Sequence, residues 1–374
     1  MIFKNCTFYN EFFEKEFGDI EIQNGIIKQI GIIDGDGRDM SGLILIPGFV
    51  DIHIHGGNGG DSSDGSAESL DKISVYLAKN GVTSFCPTTM TLPIDRLCDI
   101  ANVIAEYSES QSNSSKIVGI NFEGPFIAAS KKGAQNGEYI TDGSAQYAKK
   151  LSSASNGLMK LITIAPESFE SEAFIKAVSE FCTVSIGHSA ANASECQKAI
   201  DSGISHATHL YNAMTPMTHR EAGIVGTVLD NDNVTAELIC DGGHISPAVL
   251  RNTFKILGEN RAIVVSDSMR AAGLGEGEYE LGGQQVFVKK DGGYAVMSDG
   301  TIAASITNIY DEFRNLLSFN IDFKTALKSC TINPARVIKE DSRIGSIAVG
   351  KAADLVFLDE DMNIKEVYIN GTLA

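Results

Sequence analysis

The chain has 374 residues, 43% of them hydrophobic, and a formal net charge of −18. That is enough apolar material for one large domain and a smaller one, and the acidic balance excludes nucleic acid and anionic membrane as main partners, since both select basic surfaces. Seven cysteines lie in apolar segments, odd in number and with no Cys-x-x-Cys pair, and no apolar run reaches the ~18 residues of a membrane span, so a cytoplasmic protein with reduced thiols is expected.

Residues 1 to about 45 read as short strands. Asp19 to Ile30 alternates apolar and polar positions around Asn24 and Gly25, a pair that suits a two-residue type I′ hairpin. Pro47 to Gly57, PGFVDIHIHGG, then ends a β-favouring run in two histidines and two glycines. Side chains two apart on a strand share a face, roughly 6 to 7 Å apart, so His53 and His55 can reach one ion. From there the chain alternates strand-like runs with helical stretches such as Ala67 to Asn80 and Ser194 to Ser202. The runs are Ile46 to His55, Val82 to Pro87, Ile117 to Glu123, Leu161 to Pro166, Thr183 to His188, His206 to Leu210, Val234 to Cys240 and Ile263 to Asp267. Eight such units spread over about 220 residues predict a (β/α)₈ TIM-type barrel. Ala353 to Thr372 returns to short strands. The termini are therefore expected to meet in a small β-sandwich domain, residues 1–45 and 344–374, with the barrel spanning 46–343.

The metal-capable side chains fall at the ends of those runs. His53 and His55 close the first, Glu123 the third, His188 the fifth, His209 the sixth and Asp267 the eighth, all on the face where barrel enzymes place their sites. Gaps of 68, 65, 21 and 58 residues from His55 onward suit two, two, one and two βα units. Imidazole and carboxylate without thiolate point to a borderline divalent ion, zinc first, with iron, manganese or cobalt as alternatives. An open position on such an ion gives hydroxide near neutral pH, and Asp267 is placed to take the water proton and hand it to a leaving amine. The chemistry is metal-assisted amide hydrolysis.

PGFVDIHIHGG, NFEGPF (121–126), SIGHS (185–189), ATHLYNAM (207–214), CDGGHIS (240–246), VVSDSM (264–269) and TINPARVI (331–338) together resemble the amidohydrolase superfamily. More narrowly, the chain is similar to the N-acetylglucosamine-6-phosphate deacetylases almost end to end. The resemblance implies deacetylation of a phosphorylated N-acetyl amino sugar and a homodimer. It implies Glu123, His188 and His209 as common metal ligands, His53 and His55 as a second pair that some members lack, and Asp267 as acid/base. For substrate it implies Arg220 and His244 on the phosphate, the arginine reaching across the dimer interface. Asn212, Ala213, Asp241, Gly242 and Gly243, the loop Ile302 to Ala304, and Ala134 with Gln135 in KKGAQN complete the implied contacts.

Arg220 has its own warrant, because a planar guanidinium fork matches phosphate oxygens. Lys131 and Lys132 are read as solvated or steering charges, and His206 and His219 as structural or solvent-facing. Gln135 departs from the histidine most relatives carry there, and Ala303 and Ala304 depart from small polar and glycine residues. These departures keep N-acetylgalactosamine 6-phosphate open as substrate, beside another amidohydrolase activity and a non-catalytic scaffold.

Overall fold

The computed structural model describes residues 1–289 and 293–374. Its centre is a parallel barrel of eight strands: Phe49–Ile54, Val82–Thr89, Ile120–Glu123, Met159–Ile164, Thr183–Ile186, His206–Ala207, Thr235–Leu238 and Ala262–Val264. Successive strands pair in that order. The first and last are tied by single backbone bonds, Asp267 N–H to His53 O and His55 N–H to Ser268 O, both 2.9 Å. The ring is thus nearly closed, and the bonds that close it involve residues of the predicted site.

Strands of this kind are buried on both faces, which is why they read as continuous apolar runs; all eight residues of Val82–Thr89 are buried. The surrounding helices are specified by ordinary signals. Ser66 caps Ala67–Lys79, which buries Leu70, Ile73 and Leu77 at three- and four-residue spacing. Asn192 and Glu195 form a reciprocal capping box on Ala193–Ser202. No helix among the described residues is long and apolar enough to cross a membrane.

The chain ends form the second unit. Its strands run in the order Thr372–Leu373, Ile364–Ile369, Leu355–Leu358, Ile44–Pro47, Ile2–Tyr9, Lys15–Gln23 and Ile26–Gly31, with Arg38–Asp39 beside Ile2–Tyr9. Phe3, Phe357 and Tyr368 pack edge to face in its core, with centroids 4.9 to 5.9 Å apart. Asn24 and Gly25 turn the predicted hairpin with φ of 54° and 78°, both positive as a type I′ turn requires.

Two local expectations are corrected. The run from Ile46 to His55 is not one strand: Ile44–Pro47 pairs with Leu355–Leu358 and Ile2–Tyr9, and only from Phe49 does the chain enter the barrel. Gly48 makes the crossing, where any Cβ would lie 2.2 Å from Thr83 Oγ1. The segment Ile302 to Ala304 is not a loop but lies in the strand Ile302–Ser305. That strand closes an antiparallel sheet with Gly277–Leu281, Gln284–Val288 and Tyr294–Val296, inserted after the eighth barrel strand. Ser305 N–H donates to Asp267 O at 2.9 Å, so this insertion is pinned to the residue expected to move protons.

Candidate metal centre and substrate pocket

Six side chains from five different barrel strands meet at the C-terminal mouth of the barrel. Glu123 is the hub. Its Oε1 lies 3.0 Å from His188 Nε2, 2.8 Å from His209 Nε2 and 3.6 Å from His53 Nε2, while Oε2 lies 3.1 Å from His55 Nε2. Asp267 Oδ1 stands 3.3 Å from His55 Nε2 and 3.5 Å from His53 Nε2. His188 and His209 Nε2 are 3.1 Å apart. Donors held ~2.0 to 2.1 Å from a tetrahedral ion are separated by about 3.3 Å, so these spacings are those of a ligand set. Two overlapping groups result, His53 with His55 and Glu123, and Glu123 with His188 and His209.

Hydrogen bonding shows which ring atoms face inward. His53 Nδ1 lies 2.8 Å from a Glu237 carboxylate oxygen, His55 Nδ1 3.2 Å from Thr88 O and His188 Nδ1 2.8 Å from Lys131 O. Each of those partners can only accept, so each Nδ1 carries the proton. In the neutral ring, Nε2 then presents a lone pair to the carboxylate oxygens of Glu123 and Asp267. Acceptor faces acceptor at close range, and His53 Nε2 has no hydrogen-bond partner among the described residues. A cation between them turns that repulsion into ligation. Its charge is also wanted: Glu123, Glu237 and Asp267 are buried, and among the described residues none pairs with a lysine or arginine.

The titration directions express the same field. Burial alone pushes His55 down, but Asp267 and Glu123 outweigh it and lift the ring to about 10. His53 is likewise pushed down by burial and then raised well above its ordinary value by Glu237, Asp267 and Glu123. Burial would raise Glu123, yet His53 and His188 hold it well below the usual carboxylate range. Asp267 is lowered by His53 and His55 against the same burial.

Three of these residues sit in strained backbone. His188, His209 and Asp267 have φ of 46°, 28° and 45°, each just past the end of its strand. Left-handed non-glycine residues cost about 1 to 3 kcal/mol and cluster where geometry is functional.

Above the ligands opens a cavity of about 420 Å³. His55, Glu123, His188, His209 and Asp267 reach it, as do Ala134, Gln135, Asn212, Ala213, His244, Ile302 and Ala303. Asp241, Gly242 and Gly243 are not among the described residues that line it. Asp241 instead fixes His244, its Oδ2 2.7 Å from Nδ1 and its Oδ1 accepting from the backbone N–H groups of Gly243 and His244 at 2.8 Å. Ala304 lies behind the wall, in the core of the inserted sheet. Gln135 lines the cavity and also braces the ligand hub: its Oε1 accepts from Thr91 N–H at 2.7 Å, which turns Nε2 to donate to Glu123 Oε2 at 2.6 Å. Arg220 is exposed and outside the cavity of its own chain.

Sequence reasoning gave no role to Glu237. It is fully buried in the seventh strand and holds His53 and the backbone of His209. The available signal was a lone acid inside the apolar run from Val234 to Cys240. His206, expected to be structural or solvent-facing, is buried and donates to Glu237.

The model of the amidohydrolase family matches residues 44–374. N-acetylglucosamine-6-phosphate deacetylase of Bacillus subtilis (strain 168) is 37% identical over 88% of this chain and 84% of its own length. N-acetylgalactosamine-6-phosphate deacetylase of Escherichia coli O157:H7 is 30% identical over 95% and 94%. Among solved structures, a mutant N-acetyl-D-glucosamine-6-phosphate deacetylase from Mycobacterium smegmatis, in complex with N-acetyl-D-glucosamine-6-phosphate, superposes with a TM-score of 0.92 at 28% identity, covering 100% of this chain and 98% of that one.

Proposed function

The chain belongs to the amidohydrolase family, among the N-acetylglucosamine-6-phosphate deacetylases, and on that footing we propose that it removes the acetyl group from the 2-amino nitrogen of N-acetylglucosamine 6-phosphate, giving glucosamine 6-phosphate and acetate. The observation that carries this is the set of inward-facing imidazole lone pairs gathered on Glu123, with Asp267 beside them at the floor of a sugar-sized cavity.

Glu123, His188 and His209 would hold one divalent ion and His53, His55 and Glu123 a second; the thiolate-free donor set suits Zn²⁺ first, then Fe²⁺, Mn²⁺ or Co²⁺. Bound there, such an ion polarises the amide carbonyl and brings the pKa of water down to ~7. Asp267 accepts the proton as the water oxygen bonds to the acetyl carbon, then returns it to the amine nitrogen as the C–N bond breaks. Beside a bound cation Asp267 would stay ionised, and therefore able to accept, at neutral pH. His244, locked by Asp241, and the Asn212–Ala213 turn orient the sugar. Because Arg220 lies outside its own cavity, we assign it to the phosphate bound by the second subunit of a homodimer. The buried, unpaired cysteines support a cytoplasmic setting.

Acetate release from N-acetylglucosamine 6-phosphate, its galacto epimer and unphosphorylated N-acetylglucosamine tests the proposal, alongside metal analysis of the purified chain. The first substrate is expected to turn over fastest. Equal rates with and without phosphate would remove the role given to Arg220 and His244, and a preference for the galacto epimer would move the substrate to that sugar.

A further inference from the structure

Glu237 carries an inference of its own, which rests on the metal-centre reading above. Oε2 accepts from His53 Nδ1 at 2.8 Å and from the backbone N–H of His209 at 3.0 Å, while Oε1 accepts from His206 Nε2 at 3.1 Å. His206 is steadied in turn by Thr235 Oγ1, 2.7 Å from Nδ1. His53 belongs to one ligand group and His209 to the other. The strands that carry these two ligands are not neighbours, two others standing between them the short way round the barrel, and one buried carboxylate oxygen touches both.

We propose that Glu237 is a positioning residue that links the two ion-binding groups, fixing the His53 tautomer while anchoring the backbone from which His209 projects. The carboxylate makes the His53 ring more electron-rich through its Nδ1–H, and so a better Nε2 ligand. The same oxygen limits rotation of the strained turn at His209, whose φ of 28° leaves little local preference to hold it. His206 completes the arrangement by taking the other oxygen, so the carboxylate cannot swing away.

Glu237→Gln separates charge from shape. Its amide oxygen can still accept from His53 and His209, and its amino group can face His206, whose proton can shift to Nδ1 with rotation of the Thr235 hydroxyl. The full chain loaded with Co²⁺ is titrated with a chelator, and visible absorption follows the release of each ion. Wild type is expected to release two ions, and Glu237→Gln to release both at about 10- to 100-fold lower chelator concentration, with an unchanged far-ultraviolet circular dichroism spectrum. Unchanged release of both ions, or a change in only one, overturns the link. Wild type that holds a single ion also overturns it, and wild type that holds none overturns the metal-centre reading as well. Should the variant fold poorly, ¹⁵N-histidine spectra of the loaded wild type decide: His53 protonated on Nδ1 supports the assignment, and an unprotonated Nδ1 defeats it.

Discussion

Asp267 is the residue on which the proposed chemistry turns, and its surroundings separate that role from the one proposed for the candidate ligands. It belongs to neither three-residue ligand group, yet its Oδ1 lies within 3.5 Å of two imidazoles. Asp267→Asn keeps the shape and removes the proton acceptor. We expect kcat to fall by about 10²- to 10⁴-fold while metal content stays at the wild-type value. A variant that loses its metal instead would make Asp267 chiefly a ligand.

The clustering of the candidate ligands was legible in the sequence because their chemical type and their place at strand ends agree. Glu237 was not: its partner His53 is 184 residues away, and an acid in an apolar run carries no periodic signal. Gln135 shows the opposite difficulty. A resemblance placed it against substrate, and it does line the cavity, but nothing in the sequence showed that its amide also bridges Thr91 and Glu123.

Glu312 offers a test away from the metal site. It is buried in the helix Ile309–Ser318 and accepts the Cys240 N–H; burial, then the nearby Asp241 charge, raises its pKa well above the carboxylate range, and Asp51 adds to this. The buried thiols of Cys240 and Cys330, also raised, stay neutral beside it. With a folded pKa above the unfolded one, the native state binds the extra proton. The contribution is fully present below the unfolded value of ~4.3 and is lost as pH climbs towards the folded value. Urea unfolding of wild type and Glu312→Gln at pH 5 and pH 8 reads this directly. Wild type should lose more stability over that interval than the variant; equal losses would show that Glu312 is ionised in the native protein.

At the scale of elements, the barrel mouth is built on close contacts that only glycine permits. A Cβ at Gly187 would lie 2.7 Å from Thr208 Cβ and 2.8 Å from Thr163 Cγ2. Those threonines hydrogen-bond each other at 2.8 Å, and Ser185 joins Thr208 at 2.6 Å, forming a polar layer directly below His188 and His209. Gly187→Ala must spread the fifth strand from both the fourth and the sixth there. The expected cost is about 1 to 3 kcal/mol by urea unfolding, together with weaker metal retention, because both ligands ride on the displaced strands. Full metal retention in a destabilised variant would mean the strand ends move without their ligands.

The barrel strands were readable from sequence because two buried faces leave an uninterrupted apolar run. The break at Gly48 was hidden for the same reason, since Ile44–Pro47 and Phe49–Ile54 are equally apolar though they serve different sheets. The inserted antiparallel sheet did carry a signal, Gly282 and Gly283 between alternating segments, with φ of 56° and 83°. Its short edge strand Ile302–Ser305 follows the turn residues Ser298, Asp299 and Gly300, but the resemblance placed it as a loop and that signal went unused.

At the scale of the whole molecule, the barrel and the terminal sheet share covalent and polar joints. Pro47 leads through Gly48 into the first barrel strand, Gly48 N–H donates to Asp354 O at 2.9 Å, and Lys116 Nζ reaches Asp354 at 2.6 Å and Asn370 at 3.0 Å. The two units should therefore unfold together. Removing the metal leaves the imidazole lone pairs of His53, His55 and His188 against carboxylate oxygens, an arrangement the native fold must then relieve with protons or water. An ion present at 100 times its dissociation constant stabilises by about 2.7 kcal/mol, which for a chain of this length corresponds to about 3 to 4 °C in Tm. Calorimetry with and without chelator should show one transition that moves down by roughly that amount per ion and recovers when Zn²⁺ is restored. Two transitions, only one of them chelator-sensitive, would show that the terminal sheet stands independently of the barrel, and the joints at Gly48 and Lys116 would then be contacts without cooperative weight.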